Sequence, residues 1–183
     1  MERAGTSLLA AIVFERDEAP DPPLIDFIAA ARRRGVRVAG LVQEHAGDGS
    51  RERRDVQVRD LLTGATLPIM QDRGPEAEGC RVDPEAIAFA AVLLGRAVAT
   101  GPDLLVVNRF GRLESEGRGL LAEIGRAFVE GVPLVACVPK RYLFAWNAFS
   151  CGLDQQLPPR LQAIEAWFEA IAPVPSKRAA AGV

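Results

Sequence analysis

The fold turns on Asp103-Leu104-Leu105-Val106-Val107-Asn108 and the segment behind it, Arg109-Phe110-Gly111-Arg112-Leu113-Glu114-Ser115-Glu116-Gly117-Arg118-Gly119. Four consecutive apolar residues after Gly101-Pro102 have the length of one strand and show no alternation. That is the pattern of a strand buried on both faces, as in a parallel sheet. Residues 109–116 are polar and read as a loop, and Gly117-Arg118-Gly119 leads into a helix over residues 120–130 that Gly131 closes. The polar segment therefore lies at the carboxyl end of a strand, where open α/β sheets place their ligands.

The same alternation of short apolar runs and helical patterns extends in both directions. Towards the N-terminus, Leu8-Leu9-Ala10-Ala11-Ile12-Val13-Phe14 is a strand, and residues 15–23, rich in Asp, Glu and Pro, are a loop. Pro22-Pro23 opens a helix with Leu24, Ile25, Phe27, Ile28 and Ala31, which ends in Arg32-Arg33-Arg34-Gly35. Residues 36–43 are a second strand, and residues 45–54 a polar loop. Residues 56–61 and 66–70, joined through Thr63-Gly64, read as a β-hairpin. Asp83-Pro84 is N-cap and N1 chemistry for a helix running to Gly101-Pro102. Towards the C-terminus, residues 132–138 are the last clear strand, residues 140–153 an aromatic-rich connector, and Pro158-Pro159 opens a terminal helix. The expectation is a three-layer α/β sandwich with a mainly parallel sheet and an inserted β-hairpin, one domain over residues 1–172, and a disordered tail over 173–183. The strands at residues 8–14 and 103–108 are expected side by side.

The 183 residues include 22 Lys+Arg and 24 Asp+Glu, so the formal net charge of −2 gives no broad basic field for nucleic acid. No stretch of about 18 apolar residues suggests a membrane span, and no secretory leader is expected. Cys80, Cys137 and Cys151 form no C-x-x-C pair, and His45 is the single histidine, so neither a zinc site nor a histidine-rich metal site is indicated. A reduced, cytoplasmic setting is expected.

Candidate chemistry gathers after Asn108. Arg109, Arg112 and Arg118 alternate with Glu114 and Glu116, and the glycines Gly111, Gly117 and Gly119 allow close backbone approach. Amides and dipole at the following helix N-terminus favour an anion, which Arg109 and Arg118 would hold while Asn108 orients it. Glu114 would fix an arginine or a metal. Gln43, with His45 after the second strand, would reach the same rim. The competing reading is a solvated loop whose arginines and glutamates pair with one another. Cys80, beside Arg81 and just before a helix start, is a candidate soft ligand or redox-sensitive thiol, with plain burial as the alternative. Tyr142, Phe144, Trp146 and Phe149 are read three ways: as a cover for a ligand, as a homodimer or partner surface, or as core under the terminal helix.

The order of parts resembles the small P-loop nucleoside-triphosphatases of thermophile type over about residues 7–140. In that family the matching strand ends in Asp-Glu, then apolar, Gly, basic, apolar, Glu. Gly111, Arg112 and Glu114 match, while Asn108 and Arg109 replace the two acids. A working P-loop also needs glycines, a Lys and a Ser/Thr after the first strand. Glu15-Arg16-Asp17-Glu18-Ala19-Pro20-Asp21-Pro22-Pro23 has none of them. The acids would repel a triphosphate, and the prolines remove amide donors. A second resemblance, spanning most of the chain, is to an uncharacterised bacterial family often encoded beside molybdate-transport genes. It rests on Val38-Ala39-Gly40-Leu41-Val42-Gln43, Gly79-Cys80-Arg81-Val82-Asp83 and residues 108–119. It implies a link to molybdenum by neighbourhood only.

Three functions follow as expectations. The first is a non-hydrolysing protein that binds a small anion, a nucleotide or molybdate-type oxyanion, on a degenerate P-loop scaffold. The second is a divergent nucleoside-triphosphate hydrolase with Glu114 or Glu116 as base. The third is a regulatory partner of a transporter acting through residues 142–149.

Overall fold

The computed structural model describes residues 7–45, 56–70 and 82–171. Among these residues, seven strands form one sheet: β1 (Leu9–Phe14), β2 (Val38–His45), β3 (Val56–Asp60), β4 (Thr66–Pro68), β5 (Leu104–Asn108), β6 (Leu134–Pro139) and β7 (Asp154–Leu157). Their spatial order is β4-β3-β2-β5-β6-β1-β7. β2, β5, β6, β1 and β7 run parallel, and the expected hairpin β3-β4 extends the β2 edge in antiparallel fashion. All five residues of β5 are buried, as its continuous apolar run requires.

Successive side chains along β1 feed opposite cores. Ala10 and Ile12 pack with Leu24, Phe27 and Ile28 of α1 (Asp21–Arg33), and with Ile164, Trp167 and Phe168 of α6 (Leu161–Ile171). Leu9 and Ala11 belong to the other core. There they join Ala90 and Leu94 of α2 (Pro84–Ala99), Ile124 of α4 (Leu121–Val129) and Trp146 of α5 (Leu143–Ser150). The fold is thus the expected three-layer α/β sandwich with a mainly parallel sheet and an added β-hairpin.

Four details depart from the sequence reading. β1 and β5 are not neighbours, because β6 lies between them and pairs with both. Residues 140–153 are not a plain connector: they form a 3-10 turn (Lys140–Tyr142) and α5, which stops where Cys151 and Gly152 take left-handed φ values of 52° and 74°. β7 was not anticipated, since Asp154-Gln155-Gln156-Leu157 carries too little apolar character to signal an edge strand. The loop after β5 contains a single helical turn, α3 (Arg112–Ser115). The loop expected over residues 45–54 starts one residue later, because His45 ends β2; the rest of that loop, the tail at 173–183 and Cys80 lie outside the described residues.

Candidate functional site

The carboxyl ends of β1, β5 and β6 converge on one edge of the sheet, and two loops meet there. The first, residues 15–20, is turned on itself. The Glu15 amide donates to the Glu18 carboxylate at 2.7 Å, and the Glu18 amide donates to the Glu15 carbonyl at 3.2 Å. An amide that a phosphate cradle would aim at its ligand is here bonded to an internal acid. Pro22 and Pro23 sit in the first turn of α1, where they supply no amide hydrogen.

Asp21, the first residue of α1, reaches across β6 to the end of β5. Its Oδ1 accepts from Asn108 Nδ2 at 2.8 Å, and Arg109 Nη2 donates to Oδ2 at 2.9 Å and to Oδ1 at 3.2 Å. The Arg109 guanidinium also lies 5.0 Å from the centre of the Phe14 ring. Burial pushes the Cys137 thiol of β6 far above its ordinary range; the nearby Asp21 charge adds to this and Arg109 opposes it. Asn108 Oδ1 and Arg109 Nε are buried without a hydrogen-bond partner.

The second loop, residues 109–120, is organised by one buried carboxylate. Glu114 accepts from the Gly111 amide at 2.8 Å and from the Leu120 amide at 3.0 Å. Glu114 therefore fixes two amides rather than an arginine, and its own negative charge occupies the N-terminus of α4 that the sequence offered to an external anion. Gly119 is required beside it: φ is +65°, and a Cβ there would fall 2.2 Å from Glu114 Oε1. Fully buried Phe110 anchors the loop, its ring edge-on to Trp146 at 5.2 Å.

Arg109 and Arg118 are not brought to a common point. Arg112 donates to Glu116 at 2.7 Å, and Arg118 pairs with the same carboxylate. These two partners hold the Glu116 carboxyl below the usual glutamate range. Arg109 lines a cleft of about 690 Å³, whereas Arg118 and Gly119 line an adjoining one of about 330 Å³; Gly117 lines neither. Asn108, Gly111, Arg112, Glu114 and Gln43 all face the larger cleft.

That cleft has a cationic rim and an apolar floor. Arg16, Arg109, Arg112, Lys140 and Arg141 outnumber Glu15 and Glu114 along it, and Leu41, Val58, Ile69, Ile87, Ala90 and Leu120 form much of its base. Lys140 pairs with Glu15, which raises the lysine pKa above its ordinary value. Arg16 and Lys140 carry no sequence motif; only the return of β1 and β6 to one edge brings them together. Of the four aromatics, Tyr142 lines the cleft and Phe144 is 88% exposed. Trp146 is fully buried and Phe149 packs on it, so Trp146 belongs to the core and not to a partner surface.

The profile of a family described as "Protein of unknown function (DUF2478)" matches residues 9–167. The chain belongs to this family. It is 36% identical over 160 residues to a protein of Bradyrhizobium diazoefficiens named molybdenum import ATP-binding protein ModC 2. That match covers 87% of the chain but spans only 18% of the relative's length. The crystal structure of THEP1 from the hyperthermophile Aquifex aeolicus has a similar fold, with a TM-score of 0.58 and 14% identity. The similarity covers 88% of this chain and 96% of that one. Among the described residues no helix is long and apolar enough to cross a membrane, and no group of His, Cys, Asp and Glu is arranged to hold a metal ion.

Proposed function

We propose that this chain binds a small anion without hydrolysing it, on a P-loop-type scaffold that has given up its triphosphate grip. One observation carries the reading. At the strand ends, Asp21 and Glu18 engage the groups that would meet phosphate, while the neighbouring 690 Å³ cleft keeps an excess of cationic side chains. The two acids would oppose a triphosphate and its leaving charge, and the open cationic cleft favours a smaller anion. Glu114 is poorly placed to act as a base, because its two oxygens are already engaged by the Gly111 and Leu120 amides.

The molybdenum connection is part of the proposal. It rests on the name of the 36%-identical relative, of which this chain spans a minor share. The candidate anions are accordingly a nucleotide and a molybdate-type oxyanion. Thermal-shift measurements with ATP, GTP, molybdate, tungstate, sulfate and phosphate test the reading. Saturable stabilisation by at least one of them, without phosphate release in the presence of Mg²⁺, is expected; a ligand at 100 times its Kd raises stability by about 2.7 kcal/mol. No shift with any of them would contradict it.

Phe144 supports a second reading. At 88% exposure on α5 it is the most exposed large hydrophobic side chain among the described residues, the feature that contact with another protein, here a transporter component, would cover. Phe144→Ser would weaken such a complex and leave anion binding unchanged.

A further inference from the structure

The charge on the cleft rim is unevenly compensated. Arg109 is neutralised by Asp21, Lys140 by Glu15, and Arg112 by Glu116. Among the described residues, Arg16 and Arg141 line the cleft with no carboxylate partner. Arg141 is steadied instead by the Tyr142 ring, whose centre lies 5.0 Å from its guanidinium carbon. The two free cations come from different strand ends, after β1 and after β6. Below them lies the apolar floor that Leu41, Ile87, Ala90 and Leu120 help to form.

A bare tetrahedral oxyanion uses only one half of this arrangement. It would be held at the rim and leave the floor in water, which has no energetic benefit. A ligand with a flat apolar body and one terminal anion uses both halves. From this we infer that the cleft takes an amphiphilic organic anion, with its body on the floor and its phosphate or carboxylate on Arg16 and Arg141. Arg109, already paired, shapes the inner wall and does not receive the charge. This rests on the anion-binding reading above and selects the ligand class within it. The cleft volume is in the range of pockets that enclose such molecules.

Calorimetric titration of the full chain with inorganic phosphate, molybdate, phenyl phosphate and 1-naphthyl phosphate separates the possibilities. Affinity is expected to rise about tenfold or more from phosphate to phenyl phosphate, and again to the naphthyl compound, as apolar surface is buried. Arg16→Gln and Arg141→Gln sit on exposed positions and should keep the fold by circular dichroism. Each is expected to weaken phenyl phosphate binding about tenfold. Ile87→Gln should reduce the gain from the aromatic body and leave inorganic phosphate unaffected. If molybdate or phosphate binds as tightly as the aryl phosphates, the inference fails while the anion-binding reading stands. If none of the four binds, the inference fails, and the anion-binding reading fails with it only when ATP, GTP, tungstate and sulfate also give no thermal shift. Aryl phosphate binding that ignores Arg16 and Arg141 would overturn the assignment of the anion subsite.

Discussion

The loops after β1 and β5 meet at one edge of the sheet yet are built in opposite ways. Residues 15–20 are exposed up to Ala19, held by a short internal turn and by the surface pair of Lys140 with Glu15. Residues 109–120 close around Glu114, which is only 7% exposed and ties both flanks of α3 to one carboxylate. The first loop can rearrange at small cost, since surface pairs contribute little. The second cannot, since removing a buried acceptor strands two amides. An acidic side chain in this protein is thus structural in one loop and adjustable in the other, although both segments read as charged loops.

The largest effect on that contrast is expected from Glu114→Ala. Losing both charge-assisted bonds should destabilise the protein by about 3 kcal/mol in urea unfolding. Glu15→Ala, the matching change in the first loop, should stay within about 0.5 kcal/mol. Gly119→Ala should cost about 2 kcal/mol, because its positive φ and the space taken by Glu114 both exclude a Cβ. A tolerated Gly119→Ala would mean that the second loop is as adjustable as the first.

Asp21→Asn tests the bridge between the two loops. It should cost about 1 kcal/mol, since one partner of a part-buried ion pair is removed. It should also free Arg109, so that anion binding tightens measurably by calorimetry. The smallest effect is the acid response of Glu116. Its folded pKa is lowered, so its contribution is present above the unfolded glutamate pKa and is lost as pH falls through the folded value. Acid titration of Glu116→Gln beside the parent chain should show a slightly weaker loss of stability below about pH 4.5.

Much of the scaffold was legible because burial imposes pattern. β5 announces itself by its unbroken apolar run. Asp83-Pro84 caps α2 as read, with the Asp83 carboxylate accepting from the Glu85 amide at 2.9 Å. The hairpin β3-β4 appears where alternation and Thr63-Gly64 placed it. β7 and α5 were not legible, the first because an edge strand can be polar, the second because its apolar residues surround the helix and give little periodicity. The insertion of β6 between β1 and β5 leaves no local signal, because strand order is set by long-range packing.

The site was legible only as a place. Asn108, Arg109 and Gln43 do face a cleft at the strand ends. The role of Glu114 was not visible, because its partners are backbone amides that no side-chain pattern encodes. Nor was the contact of Asp21 with Arg109, which joins positions 88 residues apart. Arg16 and Arg141 lie in segments whose sequence carries no motif.

Mg²⁺-dependent phosphate release from ATP and GTP by homogeneous protein tests most directly whether the triphosphate grip has been lost. Release no faster than in protein-free buffer is expected. Sustained turnover in proportion to protein concentration would contradict the account.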